Sequence, residues 1–143
     1  MRAVDTNVLV YYEIRSSPQY LAARKLLQTL AEGPLPWAIP WPCVYEFLRI
    51  VTHQRVYHPP MPLAAAMRDL DRILSSPTVI LLAETPNHAQ VMRQVLSRSG
   101  VSGNLVHDAH IAALCIEHGV SELYSGDRDF ARFPGLRWEN PLE

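Results

Sequence analysis

The stretch Thr78 to Gly100, "TVILLAETPNHAQVMRQVLSRSG", decides the fold together with its continuation to Ser125, "VSGNLVHDAHIAALCIEHGVSELYS". "TVILLA" is a short, unbroken apolar run, the pattern of a buried strand. "PNHAQVMRQVLSRSG" switches to helical spacing and is closed by Gly100. "NLVHDAHIAALCIEHG" makes a further helix with Gly119 as its stop. "ELYS" returns to strand. Strands alternating with helices imply a mostly parallel sheet covered on both faces.

The same alternation extends toward the N-terminus. "RAVDTNVLVYY" reads as strand, turn and short helix, the turn being Asp5-Thr6-Asn7, three good capping residues. "PQYLAARKLLQTLA", Pro18 to Ala31, spaces Leu21, Ala22, Lys25, Leu26 and Leu30 three and four apart and ends at Gly33, as an amphipathic helix does. "WAIP" is a short strand in a proline-rich setting, "CVYEFLRIVTHQR" a helix, and "PLAAAMRDLDRILSS" another. "RWEN" near the C-terminus reads as an edge strand. The fold class is α/β, a three-layer α/β/α sandwich.

At 143 residues with 48% hydrophobic positions, the chain fits one domain spanning 1–143. No apolar run suits a membrane span or a signal peptide, so a cytoplasmic protein with no membrane partner is expected. Cys43 and Cys115 sit inside apolar patterns and read as small buried hydrophobes. A net charge of -1 provides no global positive field, so any binding to phosphate must be local, through a few arginines, a metal, or both.

In parallel α/β sheets, ligands bind where strands end and the chain turns into helices. Asp5 ends the first strand, and Asp127 follows "ELYS". Asp108 is a sharper anomaly: its helical neighbours Leu105, Ile111, Ala112 and Cys115 are all apolar, which draws its carboxylate toward the core. Glu46 sits on the shoulder of a face made by Cys43, Phe47, Ile50 and Val51. Several inward carboxylates repel one another unless a cation holds them, and hard cations such as Mg²⁺ and Mn²⁺ prefer such oxygens. Asp5, Glu46, Asp108 and Asp127 therefore suggest a divalent-metal site. Asp129 is a second choice, either binding metal through water or capping the short "FARF" helix.

Each acid has a plainer role open to it. Asp5 could cap the helix it precedes, Glu46 could pair with Arg49 or Arg24, Asp108 could answer a helix dipole, and Asp127 could be a turn residue. His107 and His110, three apart, could ligate zinc, but Asp108 faces away from His107 and no H-E-x-x-H spacing is present. The remaining histidines fall at helix ends or in loops, as ordinary surface histidines do.

Four segments in order, "VDTNVLVY", "YEFLRIVTH", "GNLVHDAHIAAL" and "YSGDRDFARFPGLRWENPL", together resemble the PIN-domain ribonucleases of the VapC toxin type. The last two most resemble the branch abundant in mycobacteria. The resemblance implies an endoribonuclease toxin using Mg²⁺ or Mn²⁺, a homodimer, and neutralisation by a cognate VapB-type antitoxin. Its substrate would be RNA, of the tRNA or rRNA kind, and its activity would inhibit translation and growth. Carried over by position, its acidic set is Asp5, Glu46, Asp108 and Asp127. Ser125 falls where the family keeps a small hydroxyl residue, and Asn7 follows the first acid as the family often has it. Asn104 lies in the matching "GNLV" segment without an assigned role. His107 departs from the smaller residue common there; it could touch RNA or simply pack, packing being the expected role.

The chemistry implied is phosphodiester hydrolysis, with Arg15, Arg49, Arg128 and Arg132 as candidate phosphate contacts. Two other readings compete. A phosphatase of the haloacid dehalogenase type needs a second aspartate two residues after the first, where this chain has Asn7. A non-catalytic PIN-like binding module does not need the complete acidic set.

Overall fold

Strand β1 (Arg2–Val4) lies in the middle of a five-stranded sheet of order β3-β2-β1-β4-β5, every neighbouring pair parallel. The computed structural model describes residues 1–143. From β1 the chain runs through α1 (Thr6–Glu13) and α2 (Tyr20–Glu32) to β2 (Trp37–Pro40), then through α3 (Trp41–Val51) and α4 (Leu63–Leu74) to β3 (Val79–Leu82). It returns through α5 (His88–Ser99) and α6 (Leu105–Glu117) to β4 (Glu122–Tyr124) on the other side of β1, passes a short 3₁₀ turn at Arg128–Arg132, and ends in β5 (Trp138–Glu139). Parallel strands force such crossovers, and their right-handedness puts α1 to α4 on one face of the sheet and α5 with α6 on the other. The helix contacts agree: α1 packs on α2 and α3, α3 on α4, and α5 on α6.

The sandwich expected from the alternation is therefore present, and the sheet is wholly rather than mostly parallel. One strand differs from expectation. "TVILLA" reads as buried, yet β3 is an edge strand whose Ile80 is 44% exposed. An apolar run records β propensity, not position in the sheet. Helix α3 starts two residues before the sequence pattern suggests, because Pro42 is tolerated in a first turn, and it stops at Val51. Gly100 closes α5 in the left-handed conformation at φ 63°, which a side chain would strain.

The order of strands places the site. The chain leaves β1 toward β2 on one side and comes back to β4 on the other, so the carboxyl ends of β1 and β4 flank the switch point where a crevice opens. Asp5 directly follows β1, and Ser125 directly follows β4. Beyond Ser125, Phe130 and Phe133 are 0% and 2% exposed and anchor the intervening loop to the core. No helix is long and apolar enough to cross a membrane.

Candidate metal centre

Asp5 is 5% exposed and occupies the N-cap position of α1, yet its side chain makes no capping bond there. The carboxylate instead turns toward the end of β4. Its Oδ2 accepts from the Ser125 hydroxyl at 2.8 Å and from Asn7 Nδ2 at 3.1 Å, and the Cys43 thiol lies 3.5 Å from Oδ1. Burial raises the Asp5 carboxyl to about 6, with the Ser125 hydrogen bond pulling it down and the charge of Glu46 pushing it up. Burial also pushes the Cys43 thiol well above its usual range, so it stays protonated.

Ser125 is the hub on the β4 side. It is fully buried, donates to Asp5, and accepts from Asn7 Nδ2 and from the Asp127 backbone N–H, each at 3.0 Å. The other end of the Asn7 amide accepts from the Gly126 N–H at 3.0 Å. One asparagine thus ties the turn after β1 to the turn after β4.

Asp127 then caps the short 3₁₀ turn, its Oδ1 accepting from the Asp129 N–H at 2.9 Å. The cap falls to Asp127, not to Asp129 as the sequence allowed, because only the residue preceding the turn has free N–H groups ahead of it. Asp129 points toward Asp108 and also pairs with Arg132 at 2.9 Å. Oxygens of Asp108, Asp127 and Asp129 all lie within 4.8 Å of one another.

Asp108 projects from the first turn of α6, and its carboxyl is raised to about 7. Burial is the main cause, followed by the charges of Asp127, Asp5, Asp129 and Glu46. That set of neighbours contains every acid singled out in the sequence, so the five carboxylates share one field. Glu46 completes it from α3, on the opposite face of the sheet. It accepts from the Thr6 hydroxyl at 3.2 Å and pairs loosely with Arg49 at 3.9 Å. Arg24, the other partner considered for Glu46, lies over the rings of Tyr12 and Tyr20 instead.

A cleft of about 650 Å³ opens beside Glu46, Asp108 and Asp129, its walls including also Arg49, Asn104 and His107, while Asp5 and Asp127 are not part of its wall. His107 does not pack as the sequence suggests: it is exposed on the cleft rim, one residue before Asp108, on the side of α6 away from the core. Asn104 holds the N-cap position of α6 without a side-chain capping bond, leaving its amide free at the same rim. Arg128 is exposed, and Arg15 lines a separate groove with Tyr57 and Pro59, away from the acids. The roles of Thr6 and Cys43 had no signal in the sequence, since each depends on a contact about 40 residues away.

The donor set is all oxygen, which suits a hard divalent cation, and the raised carboxyls of Asp5 and Asp108 are what such a cation would relieve.

Comparison with known proteins gives the lineage. The PIN domain family matches residues 2–136. The chain is 36% identical over 143 residues to Ribonuclease VapC43 of Mycobacterium tuberculosis, covering 100% of this chain and 97% of that protein. It is 34% identical over 141 residues to Ribonuclease VapC37 of the same organism, covering 99% and 97%. Among solved structures, VapBC2 from Rickettsia felis bound to a promoter DNA fragment superposes with a TM-score of 0.69 at 22% identity, over 97% of both chains. Mycobacterium tuberculosis VapC20, a sarcin-ricin loop cleaving toxin, superposes at 0.66 and 18% identity, over 96% of this chain and 99% of that one. With a PIN match across nearly its whole length and VapC relatives at about this identity end to end, the chain belongs to the PIN-domain VapC ribonuclease family.

Proposed function

We propose that this protein is a metal-dependent endoribonuclease, the toxin of a toxin–antitoxin pair, and that its acidic crevice hydrolyses RNA phosphodiester bonds. The observation that carries the reading is the gathering of Asp127, Asp5, Asp129 and Glu46 around Asp108, whose charges add to burial, the larger cause, in raising its carboxyl to about 7. The basic partners nearby, Arg49 and Arg132, are both substantially exposed and do not balance those charges. Mg²⁺ or Mn²⁺ fits an all-oxygen set of this kind.

In this reading Asp5, Asp108 and Asp127 would hold the ion, with Glu46 and Asp129 at its margins. Such an ion, when bound, would neutralise phosphate oxygens and lower the pKa of the attacking water. The protein supplies the rest. Ser125 and Asn7 fix the Asp5 carboxylate by hydrogen bonds, so it needs no reordering when RNA arrives. Glu46, only loosely paired to Arg49, accepts the proton from the attacking water. Arg49, Asn104 and His107 on the rim contact the RNA backbone. No serine or cysteine nucleophile is required, and Cys43 is protonated and buried.

The partner is a VapB-type antitoxin, and the working form is a homodimer acting in the cytoplasm on structured RNA of the tRNA or rRNA class. Support comes from relatives named VapC ribonucleases and from solved neighbours that are VapBC complexes. The phosphatase alternative fails on Asn7, whose amide is spent on Asp5, Ser125 and Gly126 where that chemistry needs a second aspartate. The non-catalytic alternative leaves the shared acidic field without a purpose. Expression without the antitoxin, followed by sequencing of RNA 5′ ends, tests the proposal. A discrete cut in one RNA class supports it, and an unchanged pattern of ends in growing cells overturns it.

A further inference from the structure

A second cluster lies between α5 and α6, and its chemistry differs from that of the acidic crevice. Glu84 stands in the connection from β3, His88 begins α5, and His110 and Glu117 come from α6. Ligand atoms of Glu84, His88 and His110 lie within 4.8 Å of one another, and the two imidazoles meet edge to face with centroids 5.3 Å apart. Glu84 Oε1 is 3.1 Å from His110 Nε2 and 3.7 Å from His88 Nε2.

Glu117 gives this group its direction. Its side chain is 1% exposed, and both oxygens are used: Oε1 accepts the Thr85 N–H at 2.8 Å, and Oε2 lies 2.7 Å from His88 Nδ1. A carboxylate can only accept, so this contact fixes a proton on Nδ1 and turns Nε2, with its lone pair in the neutral ring, toward Glu84 and His110. A buried carboxylate holding the far nitrogen of an imidazole is the arrangement that orients histidine ligands around transition metals. At 3.7 Å, His88 Nε2 is beyond hydrogen-bond reach of Glu84, so the pairing within the cluster does not itself explain that orientation.

We propose that Glu84, His88 and His110 form a site for a zinc-type dication, with Glu117 positioning His88 and a fourth place open to water. Ligands about 2.0–2.1 Å from a tetrahedral ion stand roughly 3.3 Å from one another. The two separations to Glu84, 3.1 and 3.7 Å, bracket that spacing, and the ligand nitrogens of the two histidines lie within 4.8 Å of each other. Two imidazoles with one carboxylate select a borderline ion of this kind over Mg²⁺, which keeps to oxygen. Binding removes the proton between His110 Nε2 and Glu84, which passes to solvent. The ion then clamps the β3–α5 connection, α5 and α6 together. Since His110 also lines the wall of the acidic cleft, the clamp sets the position of the helix that carries Asp108. The inference stands apart from the nuclease reading, since none of its three ligands belongs to the acidic set.

The test uses the purified full chain in excess Mg²⁺, titrated with Zn²⁺ by calorimetry and with Co²⁺ by visible absorption. The expected result is one Zn²⁺ per chain, a four-coordinate Co²⁺ spectrum that Zn²⁺ abolishes, and a higher melting temperature. Glu84→Gln, at an exposed position that does not threaten folding, and His110→Ala should each weaken Zn²⁺ binding at least tenfold. Glu117→Gln should weaken it about 10- to 100-fold. Asp129→Asn should leave it unchanged. Failure to take up stoichiometric Zn²⁺, an octahedral Co²⁺ spectrum, or affinity indifferent to Glu84→Gln and His110→Ala would overturn the proposal.

Discussion

The Ser125 hydroxyl donates to Asp5 Oδ2 at 2.8 Å, joining the ends of two adjacent parallel strands across 120 residues of sequence. The bond pulls the Asp5 carboxyl down against the burial that raises it. Ser125→Ala removes that counterweight and leaves the Asp127 N–H without its acceptor. The acid limb of the pH–rate profile should therefore move to higher pH, and stability should fall by about 1–3 kcal/mol. Initial rates across pH 5 to 9, with a denaturation curve, check both; an unmoved acid limb would count against the assignment of Asp5.

Asp108 yields a prediction about the metal-free protein. Its folded carboxyl at about 7 stands above the ordinary 3.8, so between those pH values the folded state binds the extra proton. Metal-free stability from this group is therefore fullest below about pH 4, declines as pH rises, and is lost above about 7. Asp108→Asn, which carries no charge, should be more stable than wild type by about 1–2 kcal/mol at pH 8, after discounting for solvent screening, and equal to it at pH 4. Saturating Mn²⁺ should reverse the order. Calorimetric melting with EDTA or Mn²⁺ measures it; a lower melting temperature for the metal-free variant at pH 8 would contradict the crowding of acids described here.

Asp127 and Asp129 separate by what else each one holds. Asp127 caps the turn with its carboxylate still beside that of Asp108, whereas Asp129 shares its carboxylate with Arg132. Asp127→Asn should cost activity heavily and stability by about 1 kcal/mol as a weakened cap. Asp129→Asn should lower activity about tenfold, as groups at the edge of a metal site do, with little change in stability. Parallel rate and melting measurements on the two variants decide it, and equal or reversed losses would move the main ligand role to Asp129.

Phe130 is fully buried beneath this turn. Phe130→Ala should destabilise the protein by about 3–5 kcal/mol and release the loop that positions both aspartates. Denaturant unfolding should show the loss, and a cost under 1 kcal/mol would mean that the loop is held some other way.

Much of the fold was readable because strand and helix patterns alternate with clear stops, Gly100 and Gly119 among them. The misreadings share a cause. Ile80 in β3 has the same local pattern whether its strand is central or at the edge, and only strand order, a long-range property, distinguishes the two. Asp108 was visible as a candidate because a carboxylate among Leu105, Ile111 and Ala112 conflicts with the helical pattern. The link from Thr6 to Glu46 and the meeting of His88 with His110 were not visible, since each joins distant helices. His107 lies on the cleft rim, as its place one residue, or about 100°, from the inward Asp108 allows, so of packing and RNA contact only the second remains open to it.

The most direct measurement is cleavage of a 5′-labelled structured RNA by the purified protein, comparing wild type with Asp108→Asn in Mn²⁺ and in EDTA. Wild type should cleave discretely in Mn²⁺ and not at all in EDTA, and Asp108→Asn should lose about 10³-fold or more with its fold intact. Cleavage that persists in EDTA, or that survives Asp108→Asn undiminished, would contradict the proposed function.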